Sequence, residues 1–142
     1  MSNSTALREH ARQRIAEIGQ ADILVGIPSY NNAETIGHVI QTAGQGMATY
    51  FPDMKPVLIN SDGGSEDDTR QVTLHTPVPE GVEVIATEYQ GIPGKGSAFR
   101  AIFEAAAALG AKVCVVVDSD LRSITLKWIE RLAGPIVKAG YG

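Results

Sequence analysis

The sequence predicts an α/β protein, doubly wound, with a mainly parallel sheet and helices on both faces. Two observations carry this reading. Short, continuous apolar runs such as Ile23 to Ile27 and Val113 to Val117 have the pattern of strands buried on both sides, as in a covered parallel sheet. Those runs alternate with segments of helical period, the order that builds βαβ units.

The elements follow in chain order. Leu7, Ala11, Ile15 and Ile18 share one face of a helix predicted over Ala6 to Ile18, with Gly19 as its stop. Ile23 to Ile27 is the first strand, and the polar turn Pro28 to Asn32 is placed to cap a helix from about Glu34 to Thr42. Pro56 to Asn60 forms a second strand, followed by the loop Ser61 to Ser65 and a short polar helix over Asp67 to Leu74. Val82 to Thr87 is the third strand. A glycine-rich loop, Gly91 to Gly96, then opens a helix from Ser97 to Leu109 closed by Gly110. The fourth strand ends at Asp118, and Thr125 is placed to cap a last helix through Trp128 and Leu132, with Pro135 at a kink or restart. No repeat, linker or low-complexity segment interrupts the chain.

Composition bounds the function. The 142 residues are 44% apolar and carry a net charge of −4, which describes a globular chain and excludes a basic nucleic-acid-binding surface. No apolar stretch reaches the roughly 18 residues of a bilayer span, and Met1 to Thr5 lacks the regions of a signal peptide, so the expected location is the cytoplasm. Cys114, the single cysteine, falls within a predicted strand and reads as a core residue. His10, His38 and His75 match no metal-ligand spacing. Met47, Met54, Trp128 and the alanines 105 to 108 read as packing.

In open parallel sheets ligands bind beyond the carboxyl ends of the strands. Three polar loops fall there: Pro28 to Asn32, Ser61 to Ser65, and the acidic triplet Asp118-Ser119-Asp120. Two carboxylates one residue apart at a sheet edge can hold a divalent cation and the diphosphate it carries, or cap a turn. The turn Gly26 to Asn31 lacks the Gly-x-Gly-x-x-Gly pattern of NAD and FAD sites, and its proline and tyrosine obstruct a close pyrophosphate. Gly91 to Ser97 is no P-loop either: Gly96, where Ser or Thr is needed, follows Lys95, and the interval before the Gly-Lys pair is too short. What remains is a lysine between two glycines ahead of a helix N-terminus, a place where a phosphate can approach.

Four segments in order resemble the family 2 glycosyltransferases of the A-type, Rossmann-like nucleotide-diphospho-sugar transferase fold. They are Val25 to Glu34, Asp62 to Thr69, Gly94-Lys95-Gly96 and Asp118-Ser119-Asp120. Pro93 to Gly96 and Asp118 to Arg122 are further similar to the retaining glucosyl-3-phosphoglycerate and mannosylglycerate synthases. The resemblance implies a donor-binding part over residues 21–142, preceded by the helical residues 1–20. It implies that Pro28, Ser29 and Tyr30 cradle the base, that Asp62 contacts base or ribose, and that Lys95 lies at the diphosphate. Ser119 and Asp120 would approach ribose and metal, with Asp118 completing the acidic cluster and Mg²⁺ or Mn²⁺ as the cation.

Asn32 and Gly63 stand where many relatives carry acidic residues. Both bear on base and ribose recognition. Family members also continue well beyond the acidic triplet, and that later half supplies acceptor contacts, so no catalytic residue is assigned. The implied ligands are a UDP- or GDP-sugar and a small acceptor such as a phosphoglycerate or glycerate. Self-association is expected of a sheet left partly uncovered. A non-catalytic nucleotide-sugar-binding or regulatory module is the alternative. A sugar-phosphate nucleotidyltransferase ranks last, because such enzymes place a glycine-rich basic loop directly after the first strand.

Overall fold

The computed structural model describes residues 5–120, 129–131, 133 and 134. Its elements are α1 (Glu9–Ile18), β1 (Ile23–Ser29), α2 (Ala33–Tyr50), β2 (Pro56–Asp62), α3 (Thr69–His75), β3 (Glu83–Glu88), α4 (Lys95–Leu109) and β4 (Val113–Val116). All four strands are parallel, in the order β3-β2-β1-β4. Thr125, Trp128, Leu132 and Pro135, on which the last predicted helix turns, lie outside the described residues.

Side-chain alternation along the strands builds two cores. Ile23, Val25 and Ile27 of β1 and Leu58 of β2 pack with Ile36, Val39, Ile40 and Met47 of α2. Leu24, Val57 and Ile59 point the other way, onto Ile15 of α1 and Ile102 and Leu109 of α4. Gly26 lets α4 approach: a Cβ there would stand 2.3 Å from the Ile102 Cγ2. Met54 packs against the first core and Cys114 against the second. Burial pushes the Cys114 thiol up to about 11, so it stays protonated and inert at neutral pH.

The main departure from the sequence reading is α2, which runs to Tyr50 rather than Thr42. Gly44 and Gly46 lie in the added turns, and both are buried. A Cβ on Gly44 would meet Val78 and Pro79 at 3.4 Å, and one on Gly37 would meet Val72 and Thr76 at 3.3 Å. Glycine lets the next crossover lie close against the helix, and that packing offsets its poor helix propensity. The cap differs as well. Asn32 makes no side-chain cap bond to α2, and the Ala33 amide instead donates to Asp67 Oδ2 at 3.1 Å from the following loop. α1 begins at Glu9, later than predicted, and α4 begins at Lys95, two residues earlier than predicted.

Chain direction reverses at β1. The crossovers through α2 and α3 carry the chain outward to β3, and α4 returns it to place β4 on the far side of β1. The gap between β1 and β4 is therefore the topological switch point, and a crevice opens beyond their carboxyl ends.

Candidate functional site

At that crevice lies a cavity of about 640 Å³. The loop after β1 contributes Pro28, Ser29, Tyr30 and Asn32, and the turn after β2 contributes Gly63. Asp118, Ser119 and Asp120 close it from the end of β4. The stem and start of α4 supply Pro93, Gly94, Lys95 and Ala98. Nine of the ten residues predicted from sequence thus meet in one cavity, the exception being Asp62.

Asp62 is fully buried behind the wall. Its Oδ1 accepts from Ser29 Oγ at 2.7 Å and Ser65 Oγ at 2.6 Å, and its Oδ2 accepts from the Gly64 and Ser65 amides at 3.0 and 2.7 Å. Arg70 Nε stands 3.7 Å away. The geometry makes this carboxylate the organiser of two loops, rather than the base or ribose contact that the resemblance implied. Its hydrogen-bonding capacity is taken up by the protein, and no surface is left to a ligand.

The loops are stitched further by small polar groups. Asn31, held in the left-handed region at φ 54°, donates its amide to Ser65 Oγ at 2.7 Å and accepts from the Glu66 amide at 2.8 Å. The Asn32 amide donates to Thr69 Oγ1 at 2.8 Å. Thr69 in turn bonds Asp67 through its hydroxyl, a contact that, with the Ala33 and Thr69 amides, holds the Asp67 carboxyl below its ordinary value despite slight desolvation.

Asn32 also governs the acidic triplet. Its Oδ1 accepts from the Tyr30 amide at 2.9 Å and from Ser119 Oγ at 2.6 Å, while Thr35 Oγ1 donates to the Ser119 carbonyl at 2.7 Å. Ser119 is consequently 5% exposed and turned inward. Asp118 and Asp120, on either side of it, are exposed. The triplet is thus a fixed turn that presents two carboxylates, which combines both sequence readings of an Asp-x-Asp.

Those two carboxylates are the acidic side chains of the described cavity lining. No group of three or more His, Cys, Asp or Glu side chains among the described residues is placed to hold an ion. Such a set fits a hard cation that takes one or two carboxylates and completes its shell with phosphate oxygens and water, as Mg²⁺ does. It does not fit a closed structural zinc site.

Tyr89 is the site residue that sequence reasoning missed. It lines the cavity directly after β3, and its hydroxyl accepts from the Gly94 amide at 2.9 Å. Its signal was position: it stands at the carboxyl end of a strand, where three other loops had been recognised. Gly63 lies between the two tyrosines, since a Cβ there would be 3.2 Å from the Tyr89 hydroxyl and 3.5 Å from Tyr30 Cδ1.

No protein-family model matches the chain, and no curated protein sequence matches it. Solved structures do. Glucosyl-3-phosphoglycerate synthase from Mycobacterium tuberculosis, in complex with Mn²⁺, UDP-glucose and phosphoglyceric acid, is 27% identical with a TM-score of 0.61, covering 93% of this chain and 45% of that one. Its complex with Mg²⁺ and UDP gives 26% identity, a TM-score of 0.61 and the same coverage. Its complex with Mn²⁺, UDP and glucosyl-3-phosphoglycerate gives 25%, 0.60, and coverage of 96% and 46%. The chain therefore spans less than half the length of these structures. Its parallel α/β fold is the Rossmann-like fold of these glycosyltransferases, in line with the family 2 resemblance of the sequence.

Proposed function

We propose that the chain binds a nucleotide-diphospho-sugar through a divalent cation and forms the donor-binding part of a glycosyltransferase. The observation that carries this is the charge of the cavity. Among the described residues its lining holds one lysine, Lys95, against two aspartates, Asp118 and Asp120, so this part of the site is net negative and repels a bare diphosphate. A divalent cation reverses that sign.

Asp120, with Asp118 beside it, would hold Mg²⁺ or Mn²⁺. Bound there, the cation supplies neutralisation of the diphosphate as a leaving group. Lys95 adds a point charge to the same phosphates, and the N-terminus of α4, where Gly94, Lys95 and Ala98 line the cavity, adds the attraction of its dipole. Pro28, Ser29 and Tyr30 form the wall for base and ribose, with Gly63 leaving room between Tyr30 and Tyr89. Ser119 and Asn32 fix the carboxylates, and Asp62 fixes the loops. The sugar would then pass to an acceptor hydroxyl, with a phosphoglycerate or glycerate as the proposed acceptor, by analogy with the ligands of the similar structures.

A second reading is a module that binds nucleotide sugars without turnover. The make-up of the cavity supports it: among the described residues its ionisable lining is Lys95, Asp118, Asp120 and two tyrosines, groups suited to binding the donor. A cytoplasmic location belongs to the same proposal; the structure's contribution is that no described helix is long and apolar enough to cross a membrane.

Calorimetric titration with UDP, UDP-glucose, GDP and GDP-mannose, each with Mn²⁺ and again with a chelator, tests the proposal. Binding of one nucleotide series that disappears with the chelator is the expected result. Equal binding with chelator would remove the cation from the account, and no binding of any of the four would remove the donor site. Incubation of the bound sugar nucleotide with 3-phosphoglycerate separates the two readings by whether free nucleoside diphosphate appears.

A further inference from the structure

The segment that carries Lys95 is sparsely held. Six consecutive residues, Gly91 to Gly96, are exposed. Gly91 and Gly94 have φ of 111° and 136°, and among the described residues no atom outside the adjoining chain lies within 4 Å of a Cβ built on Gly94 or Gly96. Among the described residues, two side chains bond this loop. Ser97 Oγ donates to the Ile92 carbonyl, a bond local to the loop, and the Tyr89 hydroxyl accepts from the Gly94 amide at 2.9 Å. The second bond ties the loop back to the sheet.

Tyr89 is itself clasped. Its amide donates to the Asp62 carbonyl at 3.0 Å, and the residues on either side of it are held by the segment ahead of α1. The Gln90 amide donates to the Ala6 carbonyl at 2.9 Å and Gln90 Nε2 to the Thr5 carbonyl at 3.1 Å, while Arg8 Nε donates to the Glu88 carbonyl at 2.9 Å. The same segment grips α4. Thr5 Oγ1 donates to Glu104 Oε1 at 2.5 Å, and the Ala6 amide reaches both Glu104 oxygens at 3.1 and 3.2 Å. Residues 5–8 therefore bridge the two stems between which the lysine loop is strung.

We propose that Tyr89 is a positioning residue for Lys95, and that Thr5 to Arg8 form the strap that holds Tyr89 and α4 in register. The inference rests on the reading of Lys95 as a diphosphate contact. A glycine-rich, exposed loop loses conformational freedom when a ligand fixes it, and a loop already latched loses less. Gly63 is part of the device: a side chain there would crowd the Tyr89 hydroxyl at 3.2 Å.

The test titrates the parent, Tyr89→Phe, Lys95→Ala and the double variant with UDP and with uridine, both with MnCl₂, or with GDP and guanosine if the parent prefers guanine. Phenylalanine keeps the ring and removes the acceptor. Tyr89→Phe is expected to weaken UDP about five-fold, the worth of one hydrogen bond, and to leave uridine within about two-fold. In the double variant it adds nothing to the loss caused by Lys95→Ala, because the two residues act as one unit. Amide exchange at residues 94–98 of the unliganded chain is expected to quicken in Tyr89→Phe and in Glu104→Gln, which loosens the strap without touching the latch. If Lys95→Ala weakens UDP and Tyr89→Phe does not, or if the two losses add, the inference falls alone. If Lys95→Ala leaves UDP affinity unchanged, the diphosphate role of Lys95 falls, and the inference with it.

Discussion

Asp62→Asn replaces a fully buried carboxylate by an amide of the same shape, and the hydrogen-bond directions around it dictate the cost. Ser29 Oγ accepts from Asn60 Nδ2 at 2.7 Å and Ser65 Oγ accepts from the Asn31 amide at 2.7 Å. Each hydroxyl therefore spends its proton on Asp62 Oδ1, while Oδ2 faces the amides of Gly64 and Ser65. Every neighbour is a donor, and an ionised carboxylate, which is acceptor on both oxygens, satisfies them all. An asparagine that keeps its oxygen on the two amides turns its NH₂ toward the serines and orphans two hydroxyl protons; flipped, it sets NH₂ against two backbone N–H groups. At about 1–2 kcal/mol for each orphaned donor, the variant should lose roughly 2–4 kcal/mol of stability. Urea unfolding followed by circular dichroism reads this as a lower midpoint with unchanged slope. A loss below about 0.5 kcal/mol, the level of an indifferent surface change, would refute the directional argument and the role of Asp62 as organiser.

Other consequences follow from the same geometry. Gly26→Ala forces a methyl into the buried Ile102 side chain at 2.3 Å, and overpacking of this kind should cost about 1–3 kcal/mol; combined with Ile102→Ala, which removes the γ and δ carbons it meets, the two losses should be less than additive in urea unfolding. Asp120→Ala should abolish the Mn²⁺-dependent part of UDP binding in calorimetry and leave thermal unfolding unchanged, because the side chain is exposed. Glu104 offers a pH test. Desolvation pushes its carboxyl up, but the hydrogen bonds from Thr5, Ala6 and Arg100 together prevail and leave it below its ordinary value of 4.5. A carboxylate depressed on folding contributes stability that is fully present above its unfolded value and fades as pH falls through the lower folded value. The difference in thermal midpoint between parent and Glu104→Gln should therefore hold constant from neutral pH down to the ordinary carboxylate range and shrink below it; a difference that grows on acidification would contradict this.

The fold was legible because its strands are apolar runs that end in polar residues at the same chain end. Nothing more is required to place Ser29, Lys95 and the acidic triplet beyond the carboxyl edge of a parallel sheet. The length of α2 was not legible, because glycines at 44 and 46 signal a break locally, whereas Gly44 packs against Val78 and Pro79, which follow in the next crossover. Asp62 was recognised as an acidic loop residue, but its burial depends on Ser29, which is more than thirty residues away in sequence. Tyr89 carries no motif, and its importance comes from the Gly94 amide that its hydroxyl receives. Sequence reading thus found the residues that line the cavity and undervalued those that hold them in place.

Paramagnetic broadening of backbone amide signals by Mn²⁺ in the presence of UDP tests the central claim most directly, since it locates the cation on the chain. The account predicts loss of the signals of Asp118 to Asp120 first, then those of Ser29 to Asn32 and Gly94 to Gly96, with Asp53 and Glu104 unaffected at the same Mn²⁺ concentration. Broadening that begins at other surface carboxylates, and reaches the acidic triplet no sooner than the rest, would contradict it.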